Sequence, residues 1–514
     1  VLHRRGPLPA NTRTDHTLSP AHLAVAPASG ARYDPPRRAN DEVQGESLVK
    51  NYASYSFWLE TCGDDLTPRA PLDGSIDVDV AILGAGYTGL WTAYYLLRRQ
   101  PSLRVAVVEA EIAGFGASGR NGGWCSAGFP VTAGELARRY GPERTRALLA
   151  AMRESVDEVG RVAEAEGLDI DYVKGGTLRI ARGPHQEPML DQALATYERL
   201  GIAEHYTRLD AAQVAERVRI TNVRGALYSP DCAVIHPGKL VRGLARVVER
   251  LGGTIYEQTR VTAFEPRKAG VPGSRPRLIT ERGDVRADVV VLCGEAYLSR
   301  LPGLRRQLIP VYSLIVLTEP LSDAQWAEIG WENRETIGSH RFSVDYLSRT
   351  RDGRIVFGGR GAPYHFGSRI EDSYDRHEPT HQMLRRMTLE WFPMLRGIRF
   401  THHWGGPLGM PRDWMPTMSY DRATGIATAR GYTGQGVATS NLSGRVLADL
   451  ICDTPSPLRV LPVIGHRSPD WEPEPLRWLG VRYVQRGFAR LDEQAERTGR
   501  PPSGRSLVER LGRH

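Results

Sequence analysis

The sequence predicts an α/β fold, α+β overall, in which a Rossmann-like domain that is discontinuous in sequence is joined to a second domain built on a mixed sheet. Three observations lead to this prediction. Early in the chain a buried strand, a glycine-rich turn, a helix and a second buried strand follow one another. Residues 425–452 return to a glycine-rich turn and a helix, and residues 305–405 contain aromatic, strand-like runs typical of a mixed sheet.

Composition is that of a globular protein. Of the 514 residues, 41% are apolar and 25% charged, and the mean hydropathy is −0.37. No window holds the ~18 uninterrupted apolar residues of a spanning helix. The net charge of +8 suggests nucleic acid as a partner, but the basic residues are dispersed among 59 acidic ones, which argues against it.

Five cysteines lie far apart, with no CxxC or Cys/His spacing, so the sequence predicts neither a metal site nor a disulfide framework. A reducing compartment is the simpler interpretation, and we expect a cytoplasmic protein. Arg4 and Arg5 resemble a twin-arginine start but lack a following apolar run, so we expect no export signal.

The first elements follow from composition and period. Residues 1–46 are rich in Pro, Ala, Arg and Ser without an apolar period, which predicts a disordered tail. Asp77 to Leu83 and Arg104 to Glu109 are apolar and β-branched, as buried parallel strands are. Helical spacing from Thr88 to Arg99 lies between them.

Later elements alternate without an internal repeat. Helical patterns occupy residues 134–166, 186–200, 236–251 and the basic amphipathic stretch 478–497; strand-like runs occupy residues 174–181, 254–264, 287–293, 312–317 and 354–358. From these we predict a cofactor domain formed by residues 47–150, 225–304 and 415–454, a substrate domain formed by residues 151–224 and 305–414, and a C-terminal helical extension over residues 455–514.

The sharpest motif is Gly84-Ala85-Gly86-Tyr87-Thr88-Gly89, placed between the first strand and its helix. The first glycine permits the tight turn, the second lets a pyrophosphate approach the backbone, and the third lets helix and strand pack. Glu109, at the end of the next strand, is placed to accept hydrogen bonds from ribose hydroxyls. The alternative is an ordinary strand–turn–helix with glycines for geometry alone.

A second glycine-rich stretch, Gly114 to Gly123, follows Glu109 by only five residues. Nicotinamide enzymes do not need it, whereas a larger cofactor that continues past the pyrophosphate needs backbone room there. Ser118, Arg120 and Asn121 offer polar contacts in this stretch. The alternative is a glycine-rich surface loop.

These motifs together resemble the FAD-dependent oxidoreductases of the D-amino-acid oxidase superfamily. The resemblance rests on GAGYTG, the acid at Glu109, GASGRNGG and the late GYTGQGVATSNLSGRVLADLI from Gly431 to Ile451. It covers about residues 50 to 480 and is greatest to the branch that contains γ-glutamylputrescine oxidase and related bacterial amine oxidoreductases.

The resemblance implies an FAD held without a covalent bond, since the attachment residues of covalent relatives have no match and Cys125 is the only nearby thiol. The late helix start would face the negative charge that a reduced flavin carries. The implied cofactor-binding residues are Gly84, Gly86, Gly89, Glu109, Ala110, Gly116, Ala117, Ser118, Arg120, Asn121, Gly122, Gly123, Val261, Gly294, Gly434, Gln435, Gly436 and Val437.

The sequence also departs from the family. Amino-acid oxidases carry a late-strand arginine that clamps the substrate carboxylate, in a pattern like GxRP, and Gly406 stands at that position. This favours amines or larger amino compounds over free α-amino acids. Arg360 and Arg412 are alternative clamps, and Glu295 stands where the family commonly has Asn.

Catalysis in the family is hydride transfer from the carbon bearing nitrogen to flavin N5, so no catalytic triad is required. The imine product then hydrolyses, and the electron acceptor is O₂ or another molecule. A flavin monooxygenase and a flavoprotein used only for binding are the alternatives; the first lacks its late Gly-Asp-Ala signature here. The candidate catalytic residues are His340, Arg360, Tyr364, Trp404 and Tyr432.

Overall fold

A computed structural model describes residues 50–511. The predicted tail over residues 1–46 lies outside the described residues. The predicted mixed α/β class is confirmed, with several sheets and twelve α-helices among the described residues.

The elements are named in chain order. The α-helices are α1 (Phe57–Glu60), α2 (Tyr87–Arg99), α3 (Ala133–Tyr140), α4 (Pro142–Ala165), α5 (Glu187–Leu200), α6 (Ala211–Arg217), α7 (Pro237–Arg250), α8 (Asp323–Ile329), α9 (Glu378–Trp391), α10 (Gly436–Ile451), α11 (Leu476–Thr498) and α12 (Leu507–Leu511). The strands are β1 (Ile76–Asp77), β2 (Val80–Leu83), β3 (Val105–Val108), β4 (Trp124–Ser126), β5 (Thr177–Arg182), β6 (Thr207–Asp210), β7 (Val223–Ser229), β8 (Cys232–Val234), β9 (Thr254–Tyr256), β10 (Val261–Glu265), β11 (Arg277–Thr280), β12 (Gly283–Arg286), β13 (Val289–Leu292), β14 (Ile309–Thr318), β15 (Thr336–Gly338), β16 (Asp345–Arg349), β17 (Ile355–Arg360), β18 (Phe400–Met410), β19 (Thr417–Asp421) and β20 (Ile426–Arg430).

A six-stranded sheet has the order β19-β20-β13-β2-β3-β9, with every neighbouring pair parallel except β19 with β20. Its central strands are Val-rich and buried, because helices that include α2, α7 and α10 pack on one face and strands β11 and β12 of the four-stranded sheet pack on the other. The late helix α10 crosses α2 closely: a Cβ on Gly444 would lie 2.6 Å from the Cβ of Trp91. Segments more than 300 residues apart in sequence therefore share one core.

An eight-stranded mixed sheet has the order β18-β14-β17-β16-β15-β5-β7-β6. One face packs on α9 through a buried cluster that includes Leu314, Phe357, Leu384 and Trp391. The other face packs on Phe57 and Trp58 through Ile315, Val356 and Trp404. A four-stranded sheet, β1-β12-β11-β10, and a two-stranded one, β4-β8, complete the described sheets.

The six-stranded sheet takes its strands from three separate stretches of chain, and the eight-stranded sheet takes its strands from the stretches between them. We therefore keep, as a proposal, the division into a discontinuous cofactor domain and a substrate domain. The C-terminal helix α11 packs on the body: Asp492 accepts hydrogen bonds from the backbone N–H groups of Phe342 and Ser343. Across residues 50–511, no helix is long and apolar enough to cross a membrane.

Candidate active site

The turn between β2 and α2 has the geometry that its glycines predict. Gly84 has φ of +101°, and a Cβ on it would lie 3.0 Å from the carbonyl oxygen of Cys293. A Cβ on Gly89 would collide with the carbonyl oxygen of Gly84. Helix α2 begins at Tyr87, and the N-cap residue Gly86 supplies no side chain to bind its first N–H groups. This helix start is therefore suited to an anionic ligand.

Glu109 lies at the end of β3, beside this turn. Its carboxylate accepts hydrogen bonds from the backbone N–H groups of Ala85, at 2.9 Å, and Glu111, at 3.0 Å. Burial nevertheless raises the pKa of Glu109 to about 7. A carboxylate has about four acceptor positions, so two N–H donors leave capacity for two ligand hydroxyls.

The loop from Gly116 to Gly123 uses most of its polar side chains internally. Asn121 donates to the carbonyls of Ala117 and Ser118 and accepts from the N–H of Gly123. Ser118 Oγ accepts from the N–H of Tyr87 at 2.9 Å, which joins this loop to the start of α2.

Arg120 is buried, and its guanidinium is already bound by protein. Nε donates to the carbonyl of Phe115 at 2.7 Å, and Nη1 forms an ion pair with Asp375. The prediction that Arg120 offers a polar contact to the cofactor therefore applies at most to Nη2, which has no hydrogen-bond partner.

Four side chains donate hydrogen bonds to the carbonyl groups of this loop. The sequence analysis assigned none of them this role. Ser56 Oγ donates to Gly119 at 2.6 Å and Trp58 Nε1 donates to Asn121 at 2.7 Å. Trp404 Nε1 donates to Arg120 at 2.9 Å, and Ser348 Oγ donates to Gly122 at 2.8 Å. Of these four residues, the sequence analysis named only Trp404, as a candidate catalytic residue.

The late loop, Gly431 to Gln435, is held against the early motif. Glu295 accepts from the N–H groups of Gly431 and Tyr432 at 2.9 and 3.2 Å, and burial raises its pKa to about 7. The Tyr432 hydroxyl bonds to Thr88 Oγ1 at 3.0 Å. Helix α10 then begins at Gly436, and the N-cap residue Gln435 makes no side-chain cap, so its first N–H groups also suit an anionic ligand.

The eight-stranded sheet turns one row of paired residues toward these loops. Ser313 on β14 pairs with Gly406 on β18 and with Arg360 on β17. Paired residues of antiparallel strands face the same side, so the three positions share a face. On that face a Cβ on Gly406 would lie 3.7 Å from Cδ of Arg120, and one on Gly434 would lie 3.5 Å from Nη2 of Arg360. The row therefore lies between the two loops.

Tyr346 lies beside this row and was missed by the sequence analysis. Its hydroxyl bonds to Ser313 Oγ at 2.9 Å. A Cβ on Gly122 would lie 2.5 Å from its ring, and one on Gly358 would collide with it. The two glycines leave room for the ring, a relation between distant strands that one sequence does not reveal.

The two arginines considered as carboxylate clamps differ. Arg360 Nη2 donates to the carbonyl of Thr433 at 2.9 Å, and burial lowers the Arg360 pKa to about 10. Among the described residues, no carboxylate forms an ion pair with Arg360. Arg412 instead pairs with Glu472 at 3.1 Å at a partly exposed position. The structure therefore brings Arg360, and not Arg412, to the row that contains Ser313 and Gly406.

The remaining predicted residues are dispersed. His340 follows β15 and is half-buried. Its backbone N–H donates to Gln186 Oε1 at 3.3 Å, and its ring Nε2 has no hydrogen-bond partner. Burial lowers the pKa of the His340 ring to about 3. Tyr364 is buried in an apolar cluster near α11, with its hydroxyl bonded to Ser368 and within 3.3 Å of Glu474. Ala110 follows Glu109, Val261 begins β10, Gly294 follows β13, and Val437 lies in the first turn of α10.

The residues present fit an FAD molecule. Two helix starts whose N-cap residues supply no side chain, an acid with free acceptor capacity and the tight glycine turn at Gly84 and Gly89 follow strands β20, β3 and β2 of the six-stranded sheet. These are the features that a dinucleotide requires. Cys125 is buried, and burial raises the pKa of its thiol, so it is not a reactive thiolate.

Comparison with known proteins gives a consistent result. Residues 79–450 match the family DAO, described as FAD dependent oxidoreductase. Gamma-glutamylputrescine oxidoreductase of Escherichia coli (strain K12) is 30% identical over 399 residues, which cover 77% of this chain and 88% of the relative. A probable oxidoreductase OrdL of Rhizobium meliloti (strain 1021) is 29% identical, covering 76% and 87%. The crystal structure of glycine oxidase from Geobacillus kaustophilus superposes with a TM-score of 0.62 at 22% identity, covering 74% and 96%.

Proposed function

Since the chain belongs to the DAO family of FAD-dependent oxidoreductases, we propose that it oxidises the carbon–nitrogen bond of an amine or amino compound whose reacting carbon bears no carboxylate. The observation that carries this proposal is Gly406, which leaves the clamp position of β18 without a side chain. The nearest atoms to a Cβ there are Cδ and Cβ of Arg120, whose guanidinium is bound by Phe115 and Asp375. The name of the E. coli relative, an oxidoreductase of γ-glutamylputrescine, agrees with an amine substrate.

Bound FAD supplies the acceptor for the hydride that leaves the carbon next to nitrogen. The chain's own residues then have two tasks. The starts of α2 and α10 and the Glu109 carboxylate hold the cofactor without a covalent bond. Trp404, Ser348 and Tyr346 fix the loop from Arg120 to Gly122 below the sheet. Loss of the hydride and of a proton from nitrogen yields an imine, which water converts to a carbonyl compound and an amine or ammonia.

No acid–base residue is assigned to the reaction. Tyr432 and Trp404 are positioning residues in this proposal, because their polar atoms bond to Thr88 and to the Arg120 carbonyl. His340 is held neutral, and Tyr364 has its hydroxyl committed to Ser368. Among the predicted catalytic residues, Arg360 is the one whose charged group lies in the row between the two loops. Among the described residues, it has no acidic partner.

Arg360 supports a second candidate function, the oxidation of an amino compound that carries a carboxylate. The Arg360 guanidinium is partly buried, donates to one carbonyl and lies over the ring of Trp414, and no described carboxylate compensates its charge. A carboxylate ligand would supply that compensation. Guanidinium and carboxylate match in a bidentate geometry. In this candidate Arg360 on β17 replaces the arginine that β18 lacks at Gly406, and β14 lies between the two strands.

A panel of matched substrates separates the candidates. FAD-loaded protein is mixed without oxygen with an amine, with the same amine bearing a carboxylate remote from the reacting carbon, and with the corresponding α-amino acid. We expect both amines to bleach the flavin absorption rapidly and the α-amino acid to do so poorly. Rapid bleaching by the α-amino acid alone would contradict the first proposal. Rapid bleaching by the two compounds that carry a carboxylate, but not by the plain amine, would favour the second.

The same samples address the acceptor. Reoxidation within seconds on exposure to air marks an oxidase, whereas flavin that stays reduced marks a dehydrogenase with another acceptor. Oxidation of NADPH that depends on substrate would instead indicate a monooxygenase. We keep a cytoplasmic location as a proposal, on the ground that all five cysteines are free.

A further inference from the structure

We propose that Glu378, His381 and His403 form a binding site for a zinc-like divalent ion, on the side of the eight-stranded sheet opposite the candidate active site. One ligand atom from each of the three residues lies within 4.8 Å of the others. Glu378 and His381 are three residues apart in the first turn of α9, so their side chains share a face of the helix. His403 lies on β18, where it pairs with Val316 and faces α9.

The second observation is a buried imidazole nitrogen without a partner. His381 has no solvent exposure, and its Nδ1 makes no hydrogen bond. Its Nε2 lies 3.3 Å from the carbonyl oxygen of Trp404, which fixes the proton on Nε2 and leaves the lone pair on Nδ1. This is the usual state of a metal-binding histidine, whose second nitrogen donates to a carbonyl or carboxylate.

The geometry requires only small movements. Tetrahedral zinc at 2.0–2.1 Å from nitrogen separates its ligand atoms by about 3.4 Å. Glu378 is exposed and His403 is partly exposed, so both can rotate toward the fixed His381 ring. The two imidazole rings already lie with centroids 4.8 Å apart.

The charges around the site select the kind of ion. Arg385 pairs with Glu378 at 3.0 Å, and Arg376 donates to the carbonyl of His403. With one carboxylate and two nearby arginines, the site is poor for calcium or magnesium, which are held by several oxygens. Two neutral imidazoles suit zinc and its neighbours among the transition metals, with water at the remaining position. Binding of the ion to the Glu378 carboxylate would replace the ion pair with Arg385.

The sequence did not indicate this site because its residues span 25 positions and two kinds of element. Its occupation would tie α9 to β18 one residue from Trp404, whose indole holds the Arg120 carbonyl. The ion is therefore expected to stiffen the sheet edge that carries Gly406.

The test uses the full chain loaded with FAD. Equilibrium dialysis against zinc, with metal measured by atomic absorption, should give one tightly bound zinc per chain. His403→Ala should lose it, and Glu378→Gln, an exposed change that leaves the fold intact, should weaken binding about tenfold or more. His402→Ala is the matched control, because His402 faces the other side of β18 and contacts Glu60.

Zinc binding absent from the wild type, or equal in wild type and both variants, would overturn the proposal. The flavin absorption of each variant reports whether the fold is intact. Reduction of the flavin by amines is measured separately, so a failed zinc site and a failed substrate proposal give different results.

Discussion

Replacing Arg360 by methionine should weaken the reaction of carboxylate-bearing substrates and spare that of matched amines. Across paired strands about 4.8 Å apart, Arg360 lies about 10 Å from the Gly406 backbone, a span that an arginine side chain and a short substrate together can bridge. Each hydrogen bond to a charged group contributes about 1.5–3 kcal/mol, so a bidentate contact is worth at least about 3 kcal/mol. The expected loss is about 150-fold in kcat/KM.

The assay compares kcat/KM for two substrates that differ only in the carboxylate. Arg360→Met should lower the value for the carboxylated member about 150-fold and change the other less than about threefold, while Arg360→Lys should retain part of the activity because it keeps the charge but not the fork. Arg412→Met is the control, since Arg412 pairs with Glu472 away from the row. Equal losses on both substrates would refute the reasoning and assign Arg360 to the support of the Thr433 carbonyl.

Four further outcomes are expected. Gly86→Leu should abolish FAD retention, because its Cβ would lie 3.0 Å from Ser118 Oγ and its side chain would fill the space through which the pyrophosphate approaches. Gly480→Leu is the control and should retain FAD, because no atom lies within 4 Å of a Cβ at that position. Bound flavin is measured after gel filtration. Acid precipitation should release all FAD. Flavin retained on the polypeptide would contradict non-covalent binding and make Cys125 the first candidate for a covalent attachment. Burial raises the Glu295 pKa to about 7, so the folded chain binds the carboxyl proton more tightly than the unfolded chain does. The Tm of the FAD-free protein should therefore fall as the pH rises from about 4.5 through 7. Glu295→Gln should make this fall smaller. Deletion of residues 1–46 should leave flavin content and Tm nearly unchanged, and insoluble protein would show that they belong to the fold.

Local elements were predictable because their signals are local. The early strand, glycine turn and helix are found within a few residues of the predicted bounds, with α2 at Tyr87–Arg99 against a prediction of 88–99. The helix pattern over residues 134–166 proved to be two helices, since Gly141 has φ of +82° and Pro142 begins the second. Periodicity alone does not register such a break.

Relations between distant segments were not predictable from one sequence. The pairing of Arg120 with Asp375 joins residues 255 positions apart, and it turns an expected cofactor contact into a structural ion pair. The strand register that places Arg360 beside Ser313 depends on how the long connections of the mixed sheet fold. Neither residue type nor spacing carries that information.

The two arginines nearest the row between the loops have opposite roles for a physical reason. Asp375 compensates the charge of Arg120, so that residue contributes shape and holds the loop, and its neutral pair has no need of a substrate anion. Arg360 has a carbonyl partner but no described carboxylate, so its charge remains available at the row of residues where we propose that substrate binds. We therefore propose that the Arg360 guanidinium decides between an amine and an amino compound with a carboxylate, and the matched pair of substrates tests this directly.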